Sequence, residues 1–449
     1  MNNYHYLIIG NGAAGMSAAE VIRKRDTRGR ITIVTDEPYL FYSRPGIAYY
    51  LAGQVPGDQL ISRRESFYRD HRMDLRFGSI KRLDLEAKLA FFDNDEPIAY
   101  DVVLLATGAT AVRPPFVGGD LDGVLTFDNM DDVKKIIAHG RRAKAAVVVG
   151  GGITAMEFAE GLQHRGVRTF LLQRKDRVWP RLFDPRESEI IETAITREGV
   201  KLLYNEEISE ILGKKGKVRG VRLKSGKEIE CQIVGVAIGV RPNLKVVEGL
   251  PIEQDRGLLV NPFMQTNIPS VFAAGDIAQV YDRWTRNHNL DVLWPSAINE
   301  GRAAGTNMVD FAHGKDTQFH YQKGSPFNAA LLFGVHLTVI GQVGGQPAEN
   351  GEELLHMSRG ASTVWTSPFS SNYRSAWDIK GPNSIRIVMS NNRMMGALLM
   401  GQQQLADPLR RLIENEVDLE PYQDQLLVDD ADLPEKILRA WQNWHQSWQ

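Results

Sequence analysis

Two apolar runs that each end in a glycine-rich turn are the most regular pattern in this chain. Residues 7–9 lead into Gly10-Asn11-Gly12-Ala13-Ala14-Gly15, and residues 147–149 lead into Gly150-Gly151-Gly152-Ile153-Thr154-Ala155. A short, continuous apolar run is typical of a strand buried on both faces, as in a parallel sheet. Apolar positions at helical spacing follow each turn. The pattern therefore predicts two strand–turn–helix units, at about 4–25 and 145–165.

The rest of the chain extends both units and then changes character. We predict strands at 31–35, 74–92, 102–105, 168–172 and 200–238, with helices at about 186–198 and 295–311, and a turn at Asp93-Asn94-Asp95. The apolar run 234–239 repeats the character of 102–108, which indicates an internal duplication. From 321 to 400 we expect antiparallel strands with a hairpin at Asn391-Asn392, then helices at 405–415 and 434–447. This is an α/β chain with two Rossmann-like halves and an α+β C-terminal part.

The two turns indicate the chemistry. A turn without side chains lets backbone N–H groups and a helix N-terminus meet a pyrophosphate, so two such turns suggest two dinucleotides. The formal net charge of −2 over 449 residues gives no indication of a nucleic-acid partner. No run of 18 apolar residues is present, and the strand beginning near Tyr6 leaves no room for a signal peptide, so we expect a cytoplasmic protein.

Cys231 is the only cysteine. A single cysteine excludes an intramolecular disulfide, a CxxC redox pair and a cysteine-ligated iron–sulfur cluster within this chain. Apolar neighbours favour a buried structural thiol. We predict no metal site.

Three further motifs occur in order with the two turns: Phe41-Tyr42-Ser43-Arg44-Pro45, Thr107-Gly108 and Ala274-Gly275-Asp276. Over residues 1 to about 310 the chain resembles the FAD-dependent pyridine-nucleotide oxidoreductases. Within them it is similar to the branch of rubredoxin reductases, oxygenase-coupled ferredoxin reductases and nitrite reductase flavin modules. The resemblance implies a glutathione-reductase-like build: an FAD domain (1–115 and 245–320), an NAD(P)H domain (116–244) and a C-terminal interface domain (321–449).

The resemblance also implies a flavin site at the first turn. Gly10 and Gly12 would approach the pyrophosphate, Asp36 or Glu37 would bind the adenosine ribose, and Asp276 would reach the ribityl or pyrophosphate region. Arg44, a catalytic residue in this scheme, and the helix starting at Pro295 would stabilise negative charge on the reduced isoalloxazine. The complete expected set is Gly10, Gly12, Ala13, Ala14, Gly15, Asp36, Glu37, Ser43, Arg44, Pro45, Ala106, Thr107, Gly108, Gly275, Asp276 and Pro295.

The second turn is expected to hold NADH or NADPH. Its expected contacts are Gly150, Gly152, Ile153, Thr154, Glu157, Gln173, Arg174 and Gly239. Glu157 matches a glutamate that the family places near the nicotinamide, and it is the second expected catalytic residue. Gln173 stands where relatives that prefer NADH usually carry an acid. Because Arg174 and Lys175 follow it, the sequence favours NADPH or the use of both nucleotides.

The expected path of electrons follows from the missing cysteines. Thiol-dependent relatives place a cysteine over the flavin in the segment matching 43–47, where this chain has Pro45. The flavin itself would therefore pass electrons to an external acceptor, namely rubredoxin, ferredoxin or a reductase subunit. A basic region is either a steering surface for such a partner or a merely solvated face. Its members are Arg63, Arg64, Arg69, Arg72, Arg76, Lys81 and Arg82.

Two other functions remain open at this level. A membrane-associated quinone reductase would use the face formed by Ile437, Trp441, Trp444 and Trp448, although packing onto the body or a dimer mate also explains that face. A nucleotide-sensing flavoprotein scaffold, whose oligomeric state changes on reduction, is the second alternative. A homodimer is also possible.

Overall fold

The computed structural model describes residues 3–92, 97–316, 319–344, 357, 359–366, 372–428 and 432–447. The N-terminal elements are β1 (His5–Ile9), α1 (Ala13–Arg25), β2 (Arg30–Thr35), α2 (Ile47–Ala52), α3 (Glu65–Asp70), β3 (Met73–Phe77), β4 (Ile80–Asp84), β5 (Leu89–Phe92), β6 (Ile98–Ala99) and β7 (Val102–Leu105). The strand–turn–helix unit predicted at 4–25 is confirmed. The turn predicted at Asp93-Asn94-Asp95 lies outside the described residues.

The middle of the chain carries the second unit. Its elements are β8 (Ala109–Ala111), β9 (Val124–Thr126), α4 (Met130–Gly140), β10 (Ala145–Val149), α5 (Ile153–His164), β11 (Arg168–Gln173), α6 (Pro185–Arg197), β12 (Lys201–Tyr204), β13 (Ile208–Lys214), β14 (Lys217–Leu223), β15 (Glu228–Glu230), β16 (Ile233–Val236) and β17 (Val240–Pro242). They are followed by β18 (Leu258–Leu259), β19 (Val271–Ala273), β20 (Ala278–Asp282), β21 (Asn287–Leu290) and α7 (Trp294–Ala312).

The last elements are β22 (Phe327–Leu332), β23 (Val335–Gly341), β24 (Arg374–Lys380), β25 (Asn383–Ser390), β26 (Arg393–Met400), α8 (Ala406–Glu414), α9 (Gln423–Leu426) and α10 (Leu433–Gln446). Five of these strands form an antiparallel sheet in the order β22-β23-β26-β25-β24. The hairpin predicted at Asn391-Asn392 is confirmed. Both residues have positive φ, which a two-residue turn of the hairpin-forming type requires and asparagine tolerates.

Two parallel sheets form the body of the α/β part. The first has the order β19-β7-β1-β2-β3 and the second the order β12-β11-β10-β16-β9. All strands of the second sheet fall between β7 and β19 in sequence, and the antiparallel pair β8–β17 carries the chain across and back. This arrangement confirms the α/β class with two Rossmann-like units. The exact residue limits of the domains stay a prediction.

Helix α7 closes the first unit by packing directly on α1. A Cβ on Gly301 would lie 2.1 Å from the carbonyl oxygen of Ala14, and one on Gly305 would lie 2.7 Å from that of Ala18. The two helices can approach so closely only because these positions lack side chains. The contact fixes the N-terminus of α7 beside the first glycine turn.

The C-terminal helix packs inward. Ile437 is fully buried, and Trp441 and Trp444 pack, partly buried, on the hydrophobic core of the C-terminal sheet and its helices. Trp448 lies outside the described residues. The structure thus supports packing of this face onto the body, as one of the two explanations predicted. Among the described residues, no helix has both the length and the apolar character needed to cross a membrane.

Candidate functional site: two dinucleotide clefts and the junction between them

Both helices that follow the glycine turns begin at a glycine, so neither has a side-chain cap. Gly12 caps α1 and Gly152 caps α5, and neither supplies a side-chain acceptor to the first turn. By contrast, Asn129 caps α4 and Asp184 caps α6 through side-chain hydrogen bonds. Free N–H groups at a helix N-terminus form an anion site. The first turns of α1 and α5 are therefore suited to bind phosphate groups.

The first glycine turn has the shape that a pyrophosphate needs. A Cβ on Gly10, whose φ is +122°, would lie 2.0 Å from the carbonyl oxygen of Ala106, and one on Gly15 would lie 2.0 Å from that of Gly10. No described atom lies within 4 Å of a Cβ built on Gly12. Two glycines thus let strand, turn and helix pack closely, and the third leaves open space in front of the helix. These residues fit the diphosphate of FAD.

Adjacent strands of the same sheet end around this turn. Ala106, Thr107 and Gly108 follow β7, and Gly275 and Asp276 follow β19. A Cβ on Gly275 would lie 3.1 Å from that of Ala14, so this segment borders the start of α1. Ala13 and Ala14 are buried there. Ligands of open parallel sheets bind outside the carboxyl ends of the strands, and the structure brings these predicted flavin contacts together at that edge.

Arg44 lies in a network of charges rather than alone. Its guanidinium forms an ion pair with Glu37, donates to the backbone oxygen of Asp128 at 2.8 Å and lies 3.9 Å from the Asp128 carboxylate. The Tyr42 hydroxyl donates to the other oxygen of Glu37 at 2.5 Å. Burial alone would lower the pKa of Arg44, but Tyr42, Glu37 and Asp128 raise it, so the group is a permanent cation.

The same network favours one of the two carboxylates expected to bind the adenosine ribose. Because Glu37 is bonded to both Arg44 and Tyr42, its carboxylate is already used in the described structure. Asp36, at the end of β2, is exposed. Asp36 therefore suits the ribose contact better, and both assignments stay predictions.

The remaining predicted flavin contacts border this region. Ser43 accepts a hydrogen bond from the backbone of Gly46 at 3.3 Å, and Pro45 is exposed next to it. Pro295 lies in the first turn of α7. Farther along α7, the buried Glu300 accepts a 2.8 Å hydrogen bond from the backbone of Gly275. Burial raises the pKa of Glu300 well above its usual range.

Asp128 and Arg359 were missed by the sequence reasoning. The Arg359 guanidinium lies 2.6 Å from a carboxylate oxygen of Asp128 and 3.3 Å from one of Asp276, and it donates to the backbone oxygen of Ala109 at 3.0 Å. Burial raises the pKa of Asp276, while Arg359 and Arg44 oppose that rise. Neither residue belongs to a glycine turn or a recognisable motif, so only the fold brings them to the cleft.

The second glycine turn packs like the first at its leading glycine, but its open position lies one residue before the N-cap. A Cβ on Gly150 would lie 2.2 Å from the carbonyl oxygen of Ala237, whereas no described atom lies within 4 Å of one on Gly151. Gly152 is buried, and Ile153 and Thr154 begin α5 half-buried. Gly239, with a φ of +120°, lies between the neighbouring strand β16 and β17. These residues fit the diphosphate of a second dinucleotide.

The end of β11 bears the residues on which the expected use of NADPH rests. Gln173 is buried, and its side-chain amide lies 3.4 Å from the carbonyl oxygen of Gly150, to which it donates. Gln173 thus supports the turn without adding a negative charge. Arg174 and Lys175 are exposed immediately after it.

Glu157 stands where α5 meets α2. A Cβ on Gly161 of α5 would lie 2.4 Å from the Leu51 side chain of α2, so the two helices pack closely. Glu157 and Glu160 share a cavity of about 200 Å³ with the exposed ring of Tyr49. Burial, together with Glu160, raises the pKa of Glu157 to about 8. Its charge therefore changes near physiological pH, as the charge of an ordinary glutamate does not.

Other redox and metal chemistry finds little support in the described residues. Among them, no group of three or more His, Cys, Asp or Glu side chains is arranged to hold a metal ion. Cys231 is fully buried, and burial raises the pKa of its thiol to about 12. A neutral, inaccessible thiol is a poor nucleophile, so Cys231 is structural.

The basic region extends from the segment beside the flavin cleft, where the backbone of Arg63 donates to Phe41, to the far edge of the first sheet. Arg63 pairs with Glu20, Arg69 with Asp70 and Arg76 with Asp74. Arg76 lies on β3, the edge strand opposite β19, whereas Asp276 follows β19. The structure favours a solvated surface here, and the steering role stays a prediction.

Fold and site together define a flavoprotein oxidoreductase with two dinucleotide clefts. Residues 4–301 match the family model described as pyridine nucleotide-disulphide oxidoreductase. This chain belongs to that family. It is accordingly an enzyme whose cofactors are FAD and NAD(P)H, as the sequence predicted.

Individual relatives agree with this assignment. An NADH oxidase of Methanocaldococcus jannaschii is 32% identical over 68% of this chain and 69% of its own length. The ferredoxin–NAD(+) reductase component of a biphenyl dioxygenase system of Paraburkholderia xenovorans is 32% identical over 60% of this chain and 66% of its own. A ferredoxin reductase from Rhodopseudomonas palustris, 20% identical, shares the fold over 96% of this chain and 98% of its own, with a TM-score of 0.81.

Proposed function

We propose that this protein takes electrons from NAD(P)H through FAD and delivers them to a small iron protein such as rubredoxin or ferredoxin, or to a reductase subunit. The observation that carries the proposal is the pair of helices α1 and α5, which each begin at an N-cap glycine after a strand and have open space in the preceding turn, at Gly12 and at Gly151. The one buried cysteine leaves no thiol to relay electrons. Relatives that act on ferredoxin support this class of acceptor.

The residues of this chain bind and orient; they need not move a proton for hydride transfer. FAD, when bound, supplies the chemistry, because it accepts a hydride and releases electrons to an acceptor. The turn at Gly10–Gly15 would hold the FAD diphosphate, and the turn at Gly150–Gly152 that of the nicotinamide nucleotide. Arg44 would place a permanent positive charge near the flavin, which favours reduction. These roles of the two turns and of Arg44 are predictions.

The nature of the acceptor is tested by reoxidation. The FAD-loaded protein is reduced anaerobically with NADPH or NADH and mixed in a stopped-flow instrument with rubredoxin, ferredoxin, a soluble quinone or oxygen. We expect one of the iron proteins to reoxidise the flavin far faster than quinone or oxygen does. A reduced complex that persists in air and with all acceptors would instead support the nucleotide-sensing scaffold, and fastest reoxidation by quinone would support the quinone reductase.

Nucleotide preference provides a separate prediction. If Arg174 binds the 2′-phosphate of NADPH, Arg174→Ala should lower kcat/KM for NADPH about tenfold, the loss of one charge-assisted hydrogen bond. The value for NADH should stay near that of the wild type, because NADH lacks that phosphate. Equal losses with both nucleotides, in steady-state assays at fixed acceptor, would contradict this role.

Glu157 should make flavin reduction depend on pH. Its pKa of about 8 means that the carboxyl is neutral below that pH and charged above it. Positive charge develops on the nicotinamide as hydride leaves, and an ionised carboxylate nearby stabilises it. The rate constant of flavin reduction should therefore rise as pH increases through about 8. In Glu157→Gln this step should be absent, and the rate should stay at the low-pH value; a step retained in the variant would assign it to another group.

A further inference from the structure

A short piece of the C-terminal part reaches the junction of both dinucleotide units. The backbone of Gly360 donates to Val292 at 3.1 Å and accepts from the Asn328 side chain at 2.8 Å. On the other side of Arg359, the backbone N–H of Val240 donates to the carbonyl oxygen of Met357 at 2.8 Å. Backbone hydrogen bonds of Met357 and Gly360 thus fix the segment that carries Arg359.

The Arg359 guanidinium connects two carboxylates that come from different sheets. Asp128 follows β9 of the second sheet, and Asp276 follows β19 of the first. Both carboxylates are largely buried, with 5% and 14% of their side-chain surface exposed, while that of Arg359 is 21% exposed. Two carboxylates brought this close repel one another unless a cation lies between them, and a forked guanidinium can bond both.

One donor of Arg359 is left over. Its Nε is buried and has no hydrogen-bond partner within the part of the chain that the structure describes. A buried donor without an acceptor is costly, and native proteins rarely leave one. An acceptor atom of a ligand bound at the carboxyl ends of β7 and β19 would satisfy it.

We propose that Arg359 is a positioning residue of the flavin site: it fixes the Asp276 carboxylate for the ribityl region and neutralises Asp276 and Asp128, so that reduction of the flavin is favoured. The inference rests on the proposed function in placing FAD at the first glycine turn and Asp276 beside its ribityl region. Arg44 is already occupied by Glu37 and Asp128. Arg359 is the cation that pairs directly with Asp276.

Without Arg359, the negative charges of Asp128 and Asp276 would face the cleft with less positive charge to neutralise them. Negative charge beside the flavin disfavours its reduction, since reduction adds negative charge. Asp276 would also lose the partner that holds its side chain. FAD affinity and the flavin reduction potential should therefore fall together.

The experiment compares Arg359→Gln and Arg359→Lys with the matched control Arg374→Gln, an exposed arginine on β24. FAD dissociation constants are measured by titrating FAD into each apoprotein. Flavin midpoint potentials are measured by reductive titration with dithionite and redox dyes, so neither value depends on NAD(P)H. Circular dichroism reports whether each variant is folded.

For Arg359→Gln we expect the FAD dissociation constant to rise about tenfold, as for one lost charge-assisted bond, and the midpoint potential to fall. Arg359→Lys keeps the charge and should restore the potential, but only part of the affinity, because an ammonium cannot bond both carboxylates as a guanidinium does. Arg374→Gln should match the wild type. Wild-type values for both properties in Arg359→Gln would overturn the inference. If Arg359→Gln does not fold, an unchanged FAD affinity in Arg359→Lys would overturn the inference instead.

The two proposals can fail separately. A wild-type protein that binds FAD but is not reduced by NADPH or NADH would contradict the proposed function and leave the Arg359 measurements valid. Normal reduction by NAD(P)H with no effect of Arg359→Gln on affinity or potential would contradict only this inference.

Discussion

Replacing Gly12 with aspartate should abolish FAD binding while the protein stays folded. No described atom lies within 4 Å of a Cβ at this position, so a side chain can begin there without a clash. It would occupy the space in front of α1 and set a carboxylate against the pyrophosphate. Like charges in contact cost several kcal/mol, which corresponds to a rise of at least about a hundredfold in the dissociation constant.

The matched control places an aspartate in the second turn, at the open position one residue before the N-cap Gly152. Gly151 also has no described atom within 4 Å of a Cβ. Gly151→Asp should therefore keep FAD, visible as normal flavin absorbance after purification, but should lose reduction by NADPH and NADH. The two variants assign one turn to each nucleotide. FAD lost from Gly151→Asp and retained by Gly12→Asp would reverse the assignment.

Of the variants proposed, Arg386→Ala should lower the free energy of unfolding most. Arg386 of β25 pairs with Glu187 of α6 at 2.9 Å and also donates to the backbone oxygens of Val343 and Leu182. Both side chains are buried, and burial raises the pKa of Glu187, although Arg386 opposes that rise. Removing one partner of a buried ion pair leaves the other uncompensated. We expect the free energy of unfolding to fall by about 3–5 kcal/mol.

Urea unfolding of the FAD-loaded protein measures this effect, and Arg411→Ala is its control. Arg411 pairs with Asp407 at 3.0 Å on the surface of α8, with both side chains half or more exposed. Such pairs contribute about 0–1 kcal/mol. Similar losses in the two variants would show that the Arg386–Glu187 pair does not hold the C-terminal sheet against α6.

The parts of the fold that depend on local pattern were predictable. The apolar runs before Gly10 and Gly150 became the central strands β1 and β10, and the helices after them begin as expected. Parallel strands buried on both faces leave a clear signal because their residues are continuously apolar. The hairpin at Asn391-Asn392 was predictable for a related reason, since its turn needs residues that tolerate positive φ.

The parts that depend on contacts distant in sequence were not predictable. Arg359 lies 83 residues from Asp276 and 231 from Asp128, and nothing in its own segment indicates either partner. The pair Arg386–Glu187 spans 199 residues in the same way. Glu37 shows that a plausible sequence position can also mislead. Its sequence position suits a ribose contact, but the structure pairs it with Arg44 and Tyr42. The ion-pair partners of Arg359 and Arg386 are distant in sequence, and only the folded chain brings them together.

Anaerobic titration of the FAD-loaded protein with NADPH and with NADH tests the central claim most directly. We expect at least one nucleotide to bleach the visible flavin absorbance stoichiometrically, and we expect neither to bleach Gly151→Asp at the same FAD content. A wild-type flavin that dithionite reduces but neither nucleotide bleaches would contradict the proposed function, because a nucleotide bound at the second turn would then not reduce the flavin bound at the first.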